Sequence, residues 1–144
     1  MGDSSMNDTV FSQLRTGIFV SREDLTVLFI SLIGIFIAVF AGLMSLLILS
    51  YQGRFSMEGS AMFVGITNMV LITNLAPAGI ITVGHLITAY GLFIIALCLL
   101  ESAFSIRYFK GGNEELARKL DIATLKILAI GFIITVTAII AVAW

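Results

Sequence analysis

Charged side chains are scarce in this sequence, and their scarcity indicates the class of protein. Only 12% of the 144 residues are charged, 59% are hydrophobic, and the mean hydropathy is +1.09. A soluble domain of this length cannot hide so much apolar surface, because its exterior must be covered by polar groups. The net charge of −1, without a basic cluster, also excludes a nucleic-acid-binding surface. We therefore expect an integral membrane protein surrounded by the lipid bilayer.

Residues that commonly carry chemistry are equally few. Cys98 is the only cysteine and His85 the only histidine, so one chain can form neither a disulfide nor a haem site with two histidines. The sequence also has no phosphate-binding loop, nucleophile elbow, HExxH motif or paired-carboxylate motif. We predict a protein that is not an enzyme and holds no cofactor or metal, with Cys98 as an apolar packing residue.

The first long apolar run follows a polar N-terminal segment, residues 1–24. Residues 25–51 contain no charge, and at ~1.5 Å per residue they reach roughly 40 Å, enough to cross a bilayer core of about 30 Å. The run carries a stripe of small residues spaced three and four apart, which lets helix backbones approach closely in lipid. This small-residue stripe consists of Ser31, Gly34, Ala38, Ala41 and Ser45. Its partner is either another helix of the chain or a second copy.

The middle of the chain is too long for one crossing. Residues 59–100 would form a helix of roughly 63 Å, about two membrane thicknesses. The chain's only proline, Pro77, predicts a break at residues 74–79. Residues 80–106 then form a span, whereas residues 59–76 form either a short span or a re-entrant helix. A narrow polar stripe begins just before the latter segment and runs along it; its members are Ser56, Ser60, Thr67 and Asn74.

The C-terminal part predicts one long helix that ends in a span. Asn113 is a candidate N-cap, two glutamates follow it, and the apolar span covers residues 127–144. The connection 107–126 holds five of the eight Lys and Arg residues, so the positive-inside rule predicts that it is cytoplasmic. The fold class is an all-α polytopic membrane helix bundle with three or four transmembrane helices in residues 25–144. We expect the protein in the cell (inner) membrane with its C-terminus outside. Four spans would place the N-terminus outside as well, whereas three spans would place it in the cytoplasm.

Several polar residues within the apolar segments are candidates for function. His85 is a candidate for a metal ligand or a proton shuttle, or alternatively for a neutral histidine bonded to backbone or hydroxyl groups. Asn68 and Asn74 are candidates for lining a polar path or for hydrogen bonding between helices. Glu101 and Lys126 fall at similar depth on the two sides of a turn at Gly111-Gly112, so we expect them to form an ion pair.

The last 60 residues or so resemble the YqhA family of small prokaryotic and plastid membrane proteins. The resemblance rests on a span that ends in Glu101, followed by Phe104, and on a Leu-Asp-x-x-x-Leu-Lys motif that opens the last span. The motif residues are Leu120, Asp121, Leu125 and Lys126. The resemblance implies a multi-span protein that self-associates, and it brings no established activity. The glycine expected shortly before the glutamate is absent here.

These patterns lead to two functional interpretations. The first is a small membrane protein that forms homo-oligomers and conducts ions or small solutes, which requires polar faces that converge around an axis. The second is a non-catalytic accessory subunit packed against the spans of a larger membrane complex, which requires only small-residue seams and apolar outer faces.

Overall fold

Four α-helices make up the described part of the chain. The computed structural model describes residues 25–75 and 81–143, and within these ranges it contains no strand. The helices are α1 (Leu25–Ser45), α2 (Tyr51–Leu75), α3 (Val83–Lys110) and α4 (Glu114–Ala143). Three of them, α2, α3 and α4, are long and apolar enough to cross a membrane. The predicted all-α membrane helix bundle is confirmed.

The boundary between α1 and α2 differs from the prediction. We expected the first span to continue to Tyr51 and the second segment to begin near Gly59, but α1 ends at Ser45 and α2 begins at Tyr51. Hydropathy continues unbroken across this point, so it gave no sign of the break. The physical reason is Arg54, whose guanidinium donates hydrogen bonds to the carbonyl oxygens of Leu46 and Ile48, at 2.9 and 3.0 Å.

The turn between α3 and α4 is short and uses glycine where the backbone requires it. Gly112 has φ of 80°, a left-handed conformation that glycine adopts without steric cost. The N–H of Asn113 donates to the carbonyl of Tyr108 at 3.2 Å, which closes the end of α3 as a helix C-cap does. Helix α4 then runs unbroken from Glu114 to Ala143, so the predicted connection 107–126 is almost entirely helical.

The core lies between α1, α2 and α3. Its central side chains are fully buried isoleucines, including Ile35 of α1 and Ile94 and Ile95 of α3. Gly91 allows α3 to approach α1, because a Cβ there would lie 2.5 Å from Cγ1 of Ile35. Helix α4 packs mainly against α3. Its Phe132 contributes to this packing by stacking on the Tyr90 ring at a centroid distance of 6.1 Å.

The small-residue stripe of α1 packs inside the chain. A Cβ at Gly34 would lie 2.6 Å from Oδ1 of Asn68 on α2, and Ala38 and Ser45 are buried. Ala41 is partly buried against the core. The side chain of Ser31 lies outside the described residues. The described members of the stripe therefore join α1 to other helices of the same chain.

Candidate functional site

Arg54 is the centre of a buried cluster of charged residues. It lies in the first turn of α2, and only 3% of its surface is exposed. Its two terminal nitrogens donate to the two carboxylate oxygens of Asp121 on α4, at 3.0 and 2.6 Å. The planar guanidinium matches this paired geometry, which a lysine ammonium cannot reproduce.

Aromatic rings and backbone carbonyls complete the surroundings of Arg54. The carbonyls of Leu46 and Ile48 accept hydrogen bonds from it, as described above. The ring of Tyr51 lies with its centroid 6.0 Å from the guanidinium carbon, at the outer limit of a cation–π contact. Tyr51 also meets the ring of Phe109 edge to face, which connects the start of α2 to the end of α3. The guanidinium is thus shielded from water on several sides.

Glu101 of α3 lies beside this pair. Its Oε2 is 3.9 Å from the nearer guanidinium nitrogen of Arg54, which is ion-pair distance but not hydrogen-bond distance. The same oxygen is buried and has no hydrogen-bond partner among the described residues. The expected ion pair between Glu101 and Lys126 is therefore wrong: the cation that reaches Glu101 is Arg54, and Lys126 is exposed on α4. The depth argument did not include a cation from α2.

Glu58 is the most buried member of the cluster. It lies one helical turn after Arg54, none of its surface is exposed, and its contacts are hydroxyl groups. The hydroxyl oxygens of Ser45 on α1 and Ser102 on α3 lie 2.8 and 2.6 Å from Oε1. Within residues 25–75 and 81–143, Oε2 has no hydrogen-bond partner. Glu58 thus joins three helices.

The charge cluster, Arg54, Glu58, Glu101 and Asp121, combines one guanidinium with three carboxyl groups. If all were ionised, it would hold a formal charge of −2 away from water, which is costly in a low-dielectric interior. Such an arrangement can hold the helices in one register, and it can bind protons. Among the described residues no three His, Cys, Asp or Glu side chains are placed to hold a metal ion.

The predicted polar residues of α2 have different surroundings. Asn68 is buried, and its amide donates to the hydroxyl of Thr88 on α3 at 3.4 Å, so it is an interhelical hydrogen-bonding residue. Asn74 is exposed, as are Ser56, Ser60 and Thr67. The polar stripe therefore lies on the outer surface of the chain, and Asn68 faces the interior.

His85 occupies the start of α3. The backbone N–H of Thr82 donates to Nδ1 at 3.2 Å, so in the neutral ring Nε2 carries the hydrogen. Nε2 lies 3.3 Å from the hydroxyl oxygen of Thr73 on α2, and that hydroxyl donates to the carbonyl of Met69. This geometry matches the hydrogen-bonded alternative: His85 caps α3 and ties it to the end of α2.

Of the charge cluster, our interpretation of the sequence included Glu101 as a candidate and missed Arg54 and Glu58. Asp121 entered only through the family resemblance. Arg54 and Glu58 are four residues apart, which places them on one face of a helix. That signal was present, but both residues lie between the predicted segments 25–51 and 59–76, so it was not used.

The comparisons with known proteins add no relative. No family model matches the chain, and no curated protein matches it either. The resemblance to the YqhA family stays a prediction. From its apolar helices, the chain is a small integral membrane protein in contact with the lipid bilayer.

Proposed function

We propose that this protein forms homo-oligomers in which the polar stripes of α2 from several copies surround a path for ions or small solutes. The observation that carries the proposal is the outward position of the polar stripe. The four residues of the stripe, Ser56, Ser60, Thr67 and Asn74, are all exposed. They lie within about 40° of one another around the helix axis, so they share one side of α2, where the exposed Phe63 and Val70 lie between them.

The two outer faces of the bundle contrast in polarity. The outer face of α4 is apolar and suits contact with lipid; it includes Ile127, Ile130, Ile133 and Ile134, all exposed. The face of α2 that bears Asn74 suits lipid less well, because an amide in hydrocarbon lacks hydrogen-bond partners. Association through α2 would remove this face from lipid.

A path between copies is more consistent with the packing than a path through one copy. The region between α1, α2 and α3 is filled by Ile35, Ile94 and Ile95. The hydroxyls of Ser60 and Thr67 already donate to carbonyls four residues earlier, at 2.9 Å each. Their oxygen lone pairs remain free to accept hydrogen bonds from water or to coordinate a passing cation.

The orientation and the membrane are part of the proposal. We place the protein in the cell (inner) membrane with the turn at Gly111-Gly112 in the cytoplasm and the C-terminus outside. The support is the excess of Lys and Arg near that turn. If all four helices cross, the N-terminus also lies outside.

The test measures the flux of ions or small solutes across the membrane of vesicles that are reconstituted with the purified protein. Thr67→Val combined with Asn74→Leu should lower the flux several-fold, because both changes remove polar atoms from the stripe. Thr137→Val is the matched control: Thr137 is an exposed threonine on α4 that donates to the carbonyl of Ile133 at 2.7 Å. Its substitution should leave the flux unchanged.

Native mass spectrometry in a gentle detergent gives a second measurement. A homogeneous ring of copies supports the proposal, and the stripe variant should dissociate at lower detergent concentration than the control. A wild-type protein that is monomeric and gives no flux above empty vesicles would overturn it. Foreign subunits that co-purify would instead support the accessory-subunit interpretation.

A further inference from the structure

We propose that Glu58 is a proton-binding site, held as a neutral carboxylic acid at the junction of α1, α2 and α3. The inference does not depend on the proposed conduction path. It rests on the hydrogen atoms available around Glu58 and on the charges that face it.

The first observation concerns the single hydrogen of the Ser45 hydroxyl. The Ser45 oxygen lies 2.6 Å from the carbonyl oxygen of Gly42 and 2.8 Å from Oε1 of Glu58. The single hydrogen of a hydroxyl group cannot form two strong hydrogen bonds to acceptors that lie in different directions. If Glu58 were ionised, one of these two short oxygen–oxygen contacts would have no hydrogen of its own.

A proton on Oε1 of Glu58 satisfies every short contact. The Ser102 hydroxyl, 2.6 Å away, donates to Oε1, the acid donates to the Ser45 oxygen, and Ser45 donates to the Gly42 carbonyl. The three hydrogens then point in one direction along a chain of four oxygens. Such a chain is cooperative, because each donor is also an acceptor.

The second observation is the unpartnered oxygen of the same carboxyl group. Oε2 of Glu58 is buried and has no hydrogen-bond partner in the part of the chain that the structure describes. In a neutral acid this atom is a carbonyl-like oxygen, which costs less to leave unpaired than an oxygen of a buried carboxylate.

The charged and titratable groups around Glu58 also favour the neutral form. From its own helix it faces Arg54, which is already paired with Asp121 of α4 at hydrogen-bond distance. Helix α3 contributes Glu101 and the buried Cys98, and α1 carries no ionisable residue. No cation is within ion-pair distance of Glu58 among the described residues, so a negative charge there would be uncompensated.

Infrared spectroscopy of the protein in lipid vesicles tests the proposal. A protonated carboxyl group gives a C=O stretching band that is separate from the amide bands and shifts to lower frequency in D₂O. We expect this band in the wild type at neutral pH, and Glu58→Gln should remove the intensity of one carboxyl group. Glu115→Gln is the control, because Glu115 is exposed and paired with Lys119 at 2.7 Å, and it should leave the band unchanged.

A second variant keeps the test decisive if Glu58→Gln does not fold. Ser102→Ala removes the hydroxyl that donates to Oε1 but leaves the acid in place, so the band should shift in frequency and keep its intensity. The proposal is overturned if the wild type has no such band at neutral pH. It is equally overturned if neither variant changes the band as expected, that is, if folded Glu58→Gln keeps the full intensity of the band and Ser102→Ala leaves its frequency unchanged.

Discussion

Asp121 of α4 and Arg54 of α2 are 67 residues apart in the chain, yet they are joined by two hydrogen bonds of 2.6 and 3.0 Å. This contact places the beginning of α2 and the beginning of α4 at the same end of the bundle. Glu101, near the end of α3, lies beside the same guanidinium. Helices α1 and α3 therefore end at the same end of the bundle at which α2 and α4 begin, as in an antiparallel up-and-down bundle.

Removing either partner of the buried Arg54–Asp121 pair should be strongly destabilising. Breaking a buried pair leaves the other charge uncompensated, with typical costs of about 3–5 kcal/mol. We expect Arg54→Met and Asp121→Leu each to lower the thermal stability strongly in one detergent, with the double variant more stable than additivity predicts. Lys119→Met is the control, because its pair with Glu115 is exposed and should contribute less than about 1 kcal/mol. Additive losses at Arg54 and Asp121 would contradict this assignment.

Glu101 and Lys126 should behave as independent residues. Glu101 faces Arg54 and Asp121, whereas Lys126 is exposed, so the two side chains have no shared contact. We expect Lys126→Met to change stability by less than about 0.5 kcal/mol, the usual range for surface substitutions. The effect of Glu101→Gln should be the same in the presence and absence of Lys126→Met. A coupling well above the measurement error in this cycle would restore the ion pair that we first expected.

The sequence predicted the existence of the helices better than it predicted the loop between α1 and α2 or the side-chain contacts between helices. Long charge-free runs were sufficient for the all-α membrane fold, because helix formation in lipid follows from hydropathy and length. The break predicted at Pro77 lies outside the described residues. The break between Ser45 and Tyr51 was not predictable from hydropathy, since it depends on Arg54 binding two backbone carbonyls. The charge cluster required knowing which helices are neighbours, so Glu101 was assigned to Lys126, the cation at similar depth across the turn at Gly111-Gly112, and not to Arg54 of α2.

Gly91 and Gly59 form a matched pair for testing the contact between α1 and α3. A Cβ at Gly91 would lie 2.5 Å from Cγ1 of Ile35 and 3.1 Å from Cγ2 of Val39. A Cβ at Gly59 would have no atom of the described residues outside its own helix backbone within 4 Å. Gly91→Ala should overpack the core and destabilise it by about 1–3 kcal/mol. Gly59→Ala should be neutral or stabilising by up to about 1 kcal/mol, because alanine favours the helix. Equal melting temperatures for the two variants would contradict the close approach of α1 and α3.

His85 should contribute to stability rather than to chemistry. Its ring accepts a hydrogen bond from the N–H of Thr82 and lies against the hydroxyl of Thr73. We expect His85→Ala to lower stability by about 1–2 kcal/mol, the usual cost of losing a cap or a buried hydrogen bond. Thr73→Val, which removes only the partner of Nε2, should cause a smaller loss. If His85→Ala abolished flux at unchanged stability, the residue would belong to the conduction path instead.

The final prediction concerns which ends of the helices share one side of the membrane. The guanidinium of Arg54 binds the Leu46 and Ile48 carbonyls and Asp121, so the α1–α2 connection and the α3–α4 turn lie at the same end. Cysteines placed at Ser50 and Asn113, both exposed, should therefore react with a membrane-impermeant thiol reagent only after the cells are lysed. A cysteine at exposed Ile81, before α3, should react in intact cells.

The native Cys98 is fully buried, so the wild-type chain provides the background of the labelling experiment. Opposite accessibility of Ser50 and Asn113 would show that α2 and α3 do not both cross. Ser4, outside the described residues, then tests α1: if α1 crosses as well, Ser4→Cys reacts in intact cells, because four crossings return both termini to the outer side. Protection of Ser4→Cys until lysis, with the other three sites as expected, would count against a crossing by α1. It would also contradict the packing of α1 along α2, where Ser45 contacts Glu58 and Gly34 lies against Asn68.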